Sequence, residues 1–253
     1  MLGIIDADSF MYYAVYQDLS YEGMRQYLDD NITRVVNAAK VDKYLTVLTT
    51  DSFRYKLSKS RKYKGNRKNV VKKPEFFALR EYMIQKYKAI CVKNMEADDL
   101  VILLQENLTQ DSIVLSPDKD VLRQSRHAFD YNAKSMSEIK NSEKQIIFNI
   151  YHQILTGDST DNIEGVQGVG EKGADKLLEN VKDIPSKVLS VFTNKYGIQD
   201  GMFRFVEAYR LIYLLRNEED LKREVGIEIP YNKYIESNLN IIEELEDQNK
   251  DLW

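Results

Sequence analysis

Cysteine, histidine and proline are scarce in this chain of 253 residues, which has one Cys, two His and four Pro. With Cys91 alone no internal disulfide can form, and a reducing cytoplasm is the expected compartment. One thiol plus His127 and His152 cannot build the sulfur and imidazole cage that structural zinc requires. Any metal ion here must be held by oxygen, which points to magnesium or manganese. Long apolar runs are missing as well. The N-terminal run Leu2–Ile5 is too short for a signal peptide or a membrane span, so no membrane partner is expected.

A basic excess is also absent on average, because the net charge is −4. The average hides a segregation. Residues 217–253 hold eleven acids against four bases, a local charge of −7, which leaves +3 for residues 1–216. Within that part, Arg54 to Lys73 carries ten Lys or Arg and no acid.

With 43% hydrophobic residues, the chain can fill one large α/β domain or one domain with a helical extension. Short β-branched runs stop at polar residues: Leu2–Ile5, Leu45–Leu48, Ile90–Val92 and Ile113–Leu115. Stretches at helical spacing separate them, at Met24–Ala39, Phe76–Lys86 and Leu100–Leu108. This alternation predicts a parallel sheet flanked by helices. From Glu143 onward the strands stop and the spacing is helical, punctuated by Pro185 and the Gly165–Gly173 cluster. No repeat or low-complexity linker appears. One compact domain is expected, with the sheet in residues 1–140 and a helical region in 141–253.

Acids recur just past the strand runs: Asp6, Asp51, and Asp118 with Asp120. In an open parallel sheet the strand C-termini share one edge, where active sites form, so these four acids should converge. Glu96 and Asp99 in "MEADDL" lie three apart at a helix start, with Asp98 beside them. Asp158 and Asp161 in "GDSTDN" repeat that spacing. Any one of these is an ordinary loop or cap residue when taken alone. Gathered in one cleft they would repel strongly and could not all stay ionised without counter-charge. Two divalent ions would supply it, holding an attacking water and stabilising a leaving oxygen on a phosphodiester.

The basic run "RYKLSKSRKYKGNRKNVVKK" follows Asp51 directly and interleaves Tyr55 and Tyr63 with cations. A charge run is usually a solvated face. This one should emerge beside an acidic cleft that needs a basic element to draw in a phosphate backbone. Arg54, Lys62, Lys72 and Lys73 are the bases expected to track that backbone, and Lys64 with Arg67, at (i, i+3), could clamp one phosphate. The glycine cluster "GVQGVGEKGADKLL" superficially matches a dinucleotide fingerprint, but the segment before it has helical spacing, so that reading fails. A helix, glycine turn and helix remain. Gly165, Gly168 and Gly170 let the backbone approach a phosphate, and Lys172 and Lys176 add charge. Such a turn grips duplex without reading sequence.

"YKGNR" (Tyr63–Arg67), "EADD" (Glu96–Asp99), the Asp118/Asp120 pair, "GDSTDN" and "GVQGVGEKGA" follow one another in the order and spacing of the 5′-nuclease family. From about Leu2 to Val181 the chain resembles that family, which includes bacteriophage 5′→3′ exonucleases, flap endonucleases and the nuclease domain of bacterial DNA polymerase I. The resemblance implies a PIN-like α/β fold with a helical arch at about 54–88 and a helix-three-turn-helix motif at about 145–182. It implies a two-metal 5′→3′ exonuclease and 5′-flap endonuclease acting on DNA 5′ ends, flaps or branches in replication or repair. RNA–DNA hybrids are a further substrate it allows. The lack of a polymerase region favours a stand-alone or phage enzyme, a monomer in the cytoplasm (the host's, if phage-encoded).

Carried over residue by residue, Asp6, Asp51, Glu96, Asp98 and Asp118 look like the environment of the tighter metal, and Asp99, Asp120, Asp158 and Asp161 that of the second. Tyr63, Lys64 and Arg67 match the base of the arch, where the family stacks the terminal base and contacts the scissile phosphate. Gly165 to Lys172 match the turn that holds duplex and can also bind potassium through backbone carbonyls. Two departures stand out. Tyr12 and Tyr13 occupy a stretch where bacterial relatives commonly have an Arg, and Asp8 replaces a small polar residue, adding either an extra metal ligand or an Asx turn, of which the turn is the expected one. A haloacid-dehalogenase-like phosphatase, with Asp6 and Asp8 as its D-x-D pair, is the competing enzyme class. It leaves "EADD", "YKGNR" and the glycine turn unexplained.

Overall fold

The first strand, β1 (Leu2–Asp6), is buried along its whole length, as a strand covered on both faces must be. It lies between β2 (Lys43–Val47) and β3 (Ser112–Ser116), parallel to both, and β4 (His127–Asp130) continues the parallel order beside β3. An antiparallel edge strand, β5 (Ser137–Lys140), completes the sheet β2-β1-β3-β4-β5. The computed structural model describes residues 1–67, 72–108, 110–132 and 136–226. Residues 68–71 of the basic run and most of the acidic stretch, 227–253, lie outside them.

Helices cover both faces. On one face lie α1 (Asp8–Val15), α2 (Tyr21–Ala39) and α4 (Pro74–Tyr87), packed on Ile5, Ile113, Leu115 and Phe129. The other face buries Leu2, Ile4, Val114 and Ala128 against α5 (Ala97–Asn107) and α6 (Lys119–Gln124). Alternation along β1 and β3 thus feeds two separate cores. The short α3 (Arg54–Leu57) and a 3₁₀ turn (Gly65–Arg67) sit in the basic run before α4. Helix starts follow local chemistry: Ser20 caps α2 by accepting from the Gly23 amide at 3.2 Å, and Pro74 opens α4.

A third core lies beyond the sheet. It joins α7 (Glu143–Thr156), α8 (Glu171–Leu178), α9 (Ile184–Tyr196) and α10 (Ile198–Ile212), and α11 (Glu218–Val225) follows. Two expectations are corrected. Ile90–Val92 is not a strand, since only Ile90 forms a bridge, to Val47. Strands do not stop at Glu143, because "GDSTDN" folds over a two-stranded hairpin, β6 (Gly157–Asp158) and β7 (Ile163–Glu164). Gly157 and Gly165 meet backbone to backbone at its base, where a Cβ on Gly165 would collide with the Leu155 carbonyl. Strands β4 and β5, which pair antiparallel with each other, were also missed, being short and polar-ended.

Arg54, expected on the DNA-binding surface, is only 2% exposed, and Asp99, expected among the metal ligands, is 0% exposed. The two form a bidentate pair at 2.5 and 2.8 Å. The guanidinium also donates to Glu96 at 3.2 Å and to the carbonyls of Leu211 and Tyr213, at the end of α10. Burial opposes its charge, yet Asp99 and Glu96 hold its pKa well above the ordinary value. Arg54 therefore ties α3, α5 and α10 together. Removing one partner strands a buried charge, so Arg54→Met is expected to cost about 3–5 kcal/mol in urea denaturation. Adding Asp99→Leu should return part of that loss, whereas strictly additive losses would refute the pairing.

Candidate active site

The sheet order changes direction at β1, with β2 on one side and β3 on the other, and the crevice at such a switch point opens at the strand C-termini. Asp6 stands there at the end of β1, 4% exposed. Its Oδ2 accepts from Ser116 Oγ at 2.9 Å, while its Oδ1 is buried with no hydrogen-bond partner. Asp118, past β3, caps α6 by accepting from the Asp120 amide at 2.7 Å. Glu96 and Asp98 flank the start of α5. Asp158 accepts from the Thr160 and Asp161 amides at 2.7 and 3.3 Å, which folds the "GDSTDN" hairpin toward the same edge.

These acids, with Asp51, Asp120 and Asp161, line a cleft of about 1000 Å³. Of the nine predicted acids the cleft takes eight; Asp99 is the exception. The cleft also takes Asp8, the acid expected in a turn. Asp8 forms no local turn: its carboxylate accepts from the Thr49 amide at 3.3 Å, across from β1, and lines the cleft. Among the described residues no three acid, imidazole or thiol groups draw together closely enough to enclose an ion unaided. The acids rim an open space instead.

Their electrostatics divide the cleft in two. Burial, then Asp8 and Asp118, lifts Asp6 to about 7. Burial, then Asp118, Asp6 and Glu96, pushes Asp98 well above the carboxylate range. Asp120 also rises to about 7, through burial and then Asp118 and Asp158. On the opposite wall burial likewise opposes ionisation of Glu96, but Lys64 and Arg54 overcome it and lower its pKa. One wall is paired with buried cations, while among the described residues the other has only the exposed Lys119 beside Asp158 and the more distant Arg80 and Lys72 near Asp8. The orphaned Asp6 oxygen and the lifted acids around it fit a divalent cation with oxygen ligands. An open rim suits magnesium, which keeps several waters and takes few carboxylates.

The basic run supplies the cation-rich wall. It is laced to the hairpin by Lys64 N donating to the Asp161 carbonyl at 2.8 Å and by Asn66 Nδ2 reaching the Ser159 carbonyl at 2.9 Å. Lys64 pairs with Glu96 and lies 3.7 Å from Asp161, which also receives Arg67 at 2.7 Å. Burial disfavours the Lys64 ammonium, but Glu96 and Asp161 raise its pKa, so it stays charged. Lys62 and Lys72 line the cleft, Lys72 over the Phe76 ring at 4.3 Å. Lys73 does not: its ammonium donates to the Val15 carbonyl at 3.1 Å, at the end of α1.

Tyr63, expected to stack on a terminal base, is 3% exposed. Its hydroxyl oxygen lies 3.0 Å from Glu96 and 2.9 Å from Asp161, so its one proton is shared between them and the ring braces the two acids. The accessible ring is Tyr55, 48% exposed and edge-on to Tyr63 at 5.5 Å, with exposed Phe77 also on the cleft. In the glycine turn Gly165 and Gly168 lead to Gly170, which precedes α8, and Lys172 and Lys176 stand exposed on that helix. The Gln167 amide there donates to Tyr196 Oη at 2.8 Å. Sequence reading also missed Arg80, Lys119 and Gln153. Isolated polar residues on helices carry no pattern that marks them.

No family model matches the sequence. The chain is 30% identical over 146 residues to DNA polymerase I of Bacillus caldotenax, covering 51% of this chain and 17% of that one. A 5′-3′ exonuclease of Mycoplasmopsis pulmonis is 29% identical over 99 residues, 35% of this chain and 33% of that one. Another, from Buchnera aphidicola subsp. Schizaphis graminum, is 27% identical over 198 residues, 72% of this chain. The chain spans less than two thirds of the first two relatives and 66% of the third.

Among solved structures, a bacteriophage T5 flap endonuclease complex with DNA and metal ions matches with a TM-score of 0.68. It covers 96% of this chain and 99% of that one at 18% identity. The catalytic core of Rad2 with a DNA substrate matches at 0.52, over 89% and 88%, with 13% identity. At such identities the structural likeness speaks for the fold, a PIN-like nuclease fold. Taken with the sequence relatives and the ordered motifs, it shows this chain to be similar to flap endonucleases and 5′→3′ exonucleases.

Proposed function

We propose that this chain is a divalent-metal-dependent nuclease that hydrolyses phosphodiester bonds near DNA 5′ ends, as a 5′→3′ exonuclease and 5′-flap endonuclease. The observation that carries this reading is the cation-poor wall of the cleft, with its orphaned Asp6 oxygen, facing a wall of lysine and arginine. Related proteins named as 5′-3′ exonucleases, and a flap endonuclease of like fold complexed with DNA and metal ions, support it.

Asp6, Asp98 and Asp118, with Asp8, Asp51 and Glu96 around them, would hold one ion, and Asp120, Asp158 and Asp161 a second. When bound, such ions supply a water that ionises near neutral pH and stabilise charge on the leaving oxygen. The chain's own residues do the rest. Arg67, Lys62 and Lys72 offset the acids and draw a phosphate backbone into the cleft. Tyr55 and Phe77 offer exposed faces to unpaired bases. Lys64, fixed between Glu96 and Asp161, is placed to offset charge building on a phosphate. Duplex beyond the cut would rest on the glycine turn, with Lys172 and Lys176 toward its backbone and potassium as a candidate ion at the turn carbonyls.

Cleavage of a 5′-flap substrate is expected to require magnesium or manganese, and full activity in excess chelator would defeat the metal reading. Asp118→Asn or Asp158→Asn should abolish turnover while DNA affinity in calcium stays equal or rises, because a repulsive charge leaves the cleft. A lost affinity with intact turnover would contradict the assignment.

Lys64→Ala should lower the single-turnover rate by about 10²–10³ with little change in affinity, as loss of a donor used in the transition state does. Lys72→Ala should mainly weaken binding. Equal, modest binding losses in both variants, with near-normal chemistry, would reduce the segment to an electrostatic funnel. At the glycine turn, Lys172→Ala and Lys176→Ala should each reduce the salt dependence of branched-DNA binding by up to about one unit of slope. An unchanged slope would leave the turn a purely structural role.

A further inference from the structure

Gln153 sits in the last turn of α7 with its side chain inside the protein, 6% exposed. Its Nε2 donates to Asp120 Oδ1 at 2.9 Å and to Asp158 Oδ2 at 3.1 Å. A side-chain amide has two N–H donors, and here both are spent on carboxylates. The two acids come from different elements, Asp120 from the first turn of α6 and Asp158 from β6. The two carboxylates reach hydrogen-bonding distance of each other, so that one proton can be shared between them. α7 packs against both elements, and Gln153 bonds both acids from behind.

The character of this link differs from that on the opposite wall. There Arg54 and Lys64 join acids and neutralise them at the same time. Gln153 joins acids and neutralises nothing. The nearest cation, Lys119, lies 3.5 Å from Asp158 on an exposed side chain. A neutral donor held by helix packing sets the spacing of the pair and leaves its negative charge available to a cation.

We infer that Gln153 is a positioning residue, which fixes Asp120 and Asp158 as a pair for the more weakly held of the two ions. The inference rests on the two-ion reading above. Outer partners that orient metal-binding carboxylates typically contribute about 10–100-fold in ion affinity or activity.

Calorimetric titration of the DNA-free protein with Mn²⁺ tests it, beside thermal denaturation, DNA binding in Ca²⁺ and single-turnover cleavage in Mg²⁺. The wild-type protein should show two Mn²⁺ events; if it binds no Mn²⁺, the metal reading fails and takes this inference with it. With two events in the wild type, Gln153→Leu should weaken the weaker one about 10–100-fold and spare the stronger. Its cleavage rate should fall, DNA affinity should hold, and raised Mg²⁺ should restore the rate. Gln153→Met, closer in shape, gives the same comparison if the leucine variant folds poorly. In an Asp120→Asn background, Gln153→Leu should add little further loss, since both changes act on one pair. Unchanged Mn²⁺ events, or equal weakening of both with a lowered Tm, would overturn the inference.

Discussion

Mutual repulsion among carboxylates at the strand ends is the constraint around which this molecule is arranged. A parallel sheet brings Asp6 and Asp118 to one edge whether or not their charges are compatible, and Asp8 and Asp98 crowd the same place. Burial strips away the water that would otherwise screen them. The fold answers this on one side only. The Glu96 wall has buried Arg54 and half-buried Lys64, while Asp6, Asp98 and Asp120 have no comparable cation. An arrangement that costs stability when empty is one that a bound cation, and a substrate it helps to hold, can relieve.

The basic run shows how one composition divides into different physical roles. Arg54 is drawn inward, where its fork meets two backbone carbonyls and the Asp99 carboxylate. Lys64 is held at the boundary between core and cleft. Lys73 turns aside to the end of α1, where a cation suits the exposed carbonyls. Lys62, Arg67 and Lys72 remain for the cleft. Charge count alone cannot separate these fates, because they depend on what each side chain can reach after the chain has folded.

Much of this was legible in the sequence. Short β-branched runs at β1 and β3, the helical spacing of α2, α4 and α7, and acids just past strand ends together led to the edge where the cleft lies. Ordered motifs pointed to the family. What was not legible depended on contacts distant in sequence. Asp99 reads as one more acid beside Asp98, yet helical geometry turns it inward to Arg54, while Asp98 faces the cleft. Tyr63 looks like a stacking residue among cations, but its hydroxyl is needed between Glu96 and Asp161. Asp8 reads as a local turn former, and its partner is Thr49. Gln153 carries no pattern, since its partners come from α6 and β6.

The close backbone contact of Gly157 with Gly165 matters beyond its local packing. Between these two glycines lies the hairpin that carries Asp158 and Asp161 to the cleft, and directly after Gly165 comes the turn leading to α8. The acids and the turn are therefore pinned at one joint, with no side chain between the two backbones to act as a cushion. Under the proposed function, with duplex gripped at the turn and cut at the acids, that joint would work as a caliper: the gap between its jaws is set by main-chain contact, and the position of the cut would be measured from the duplex end.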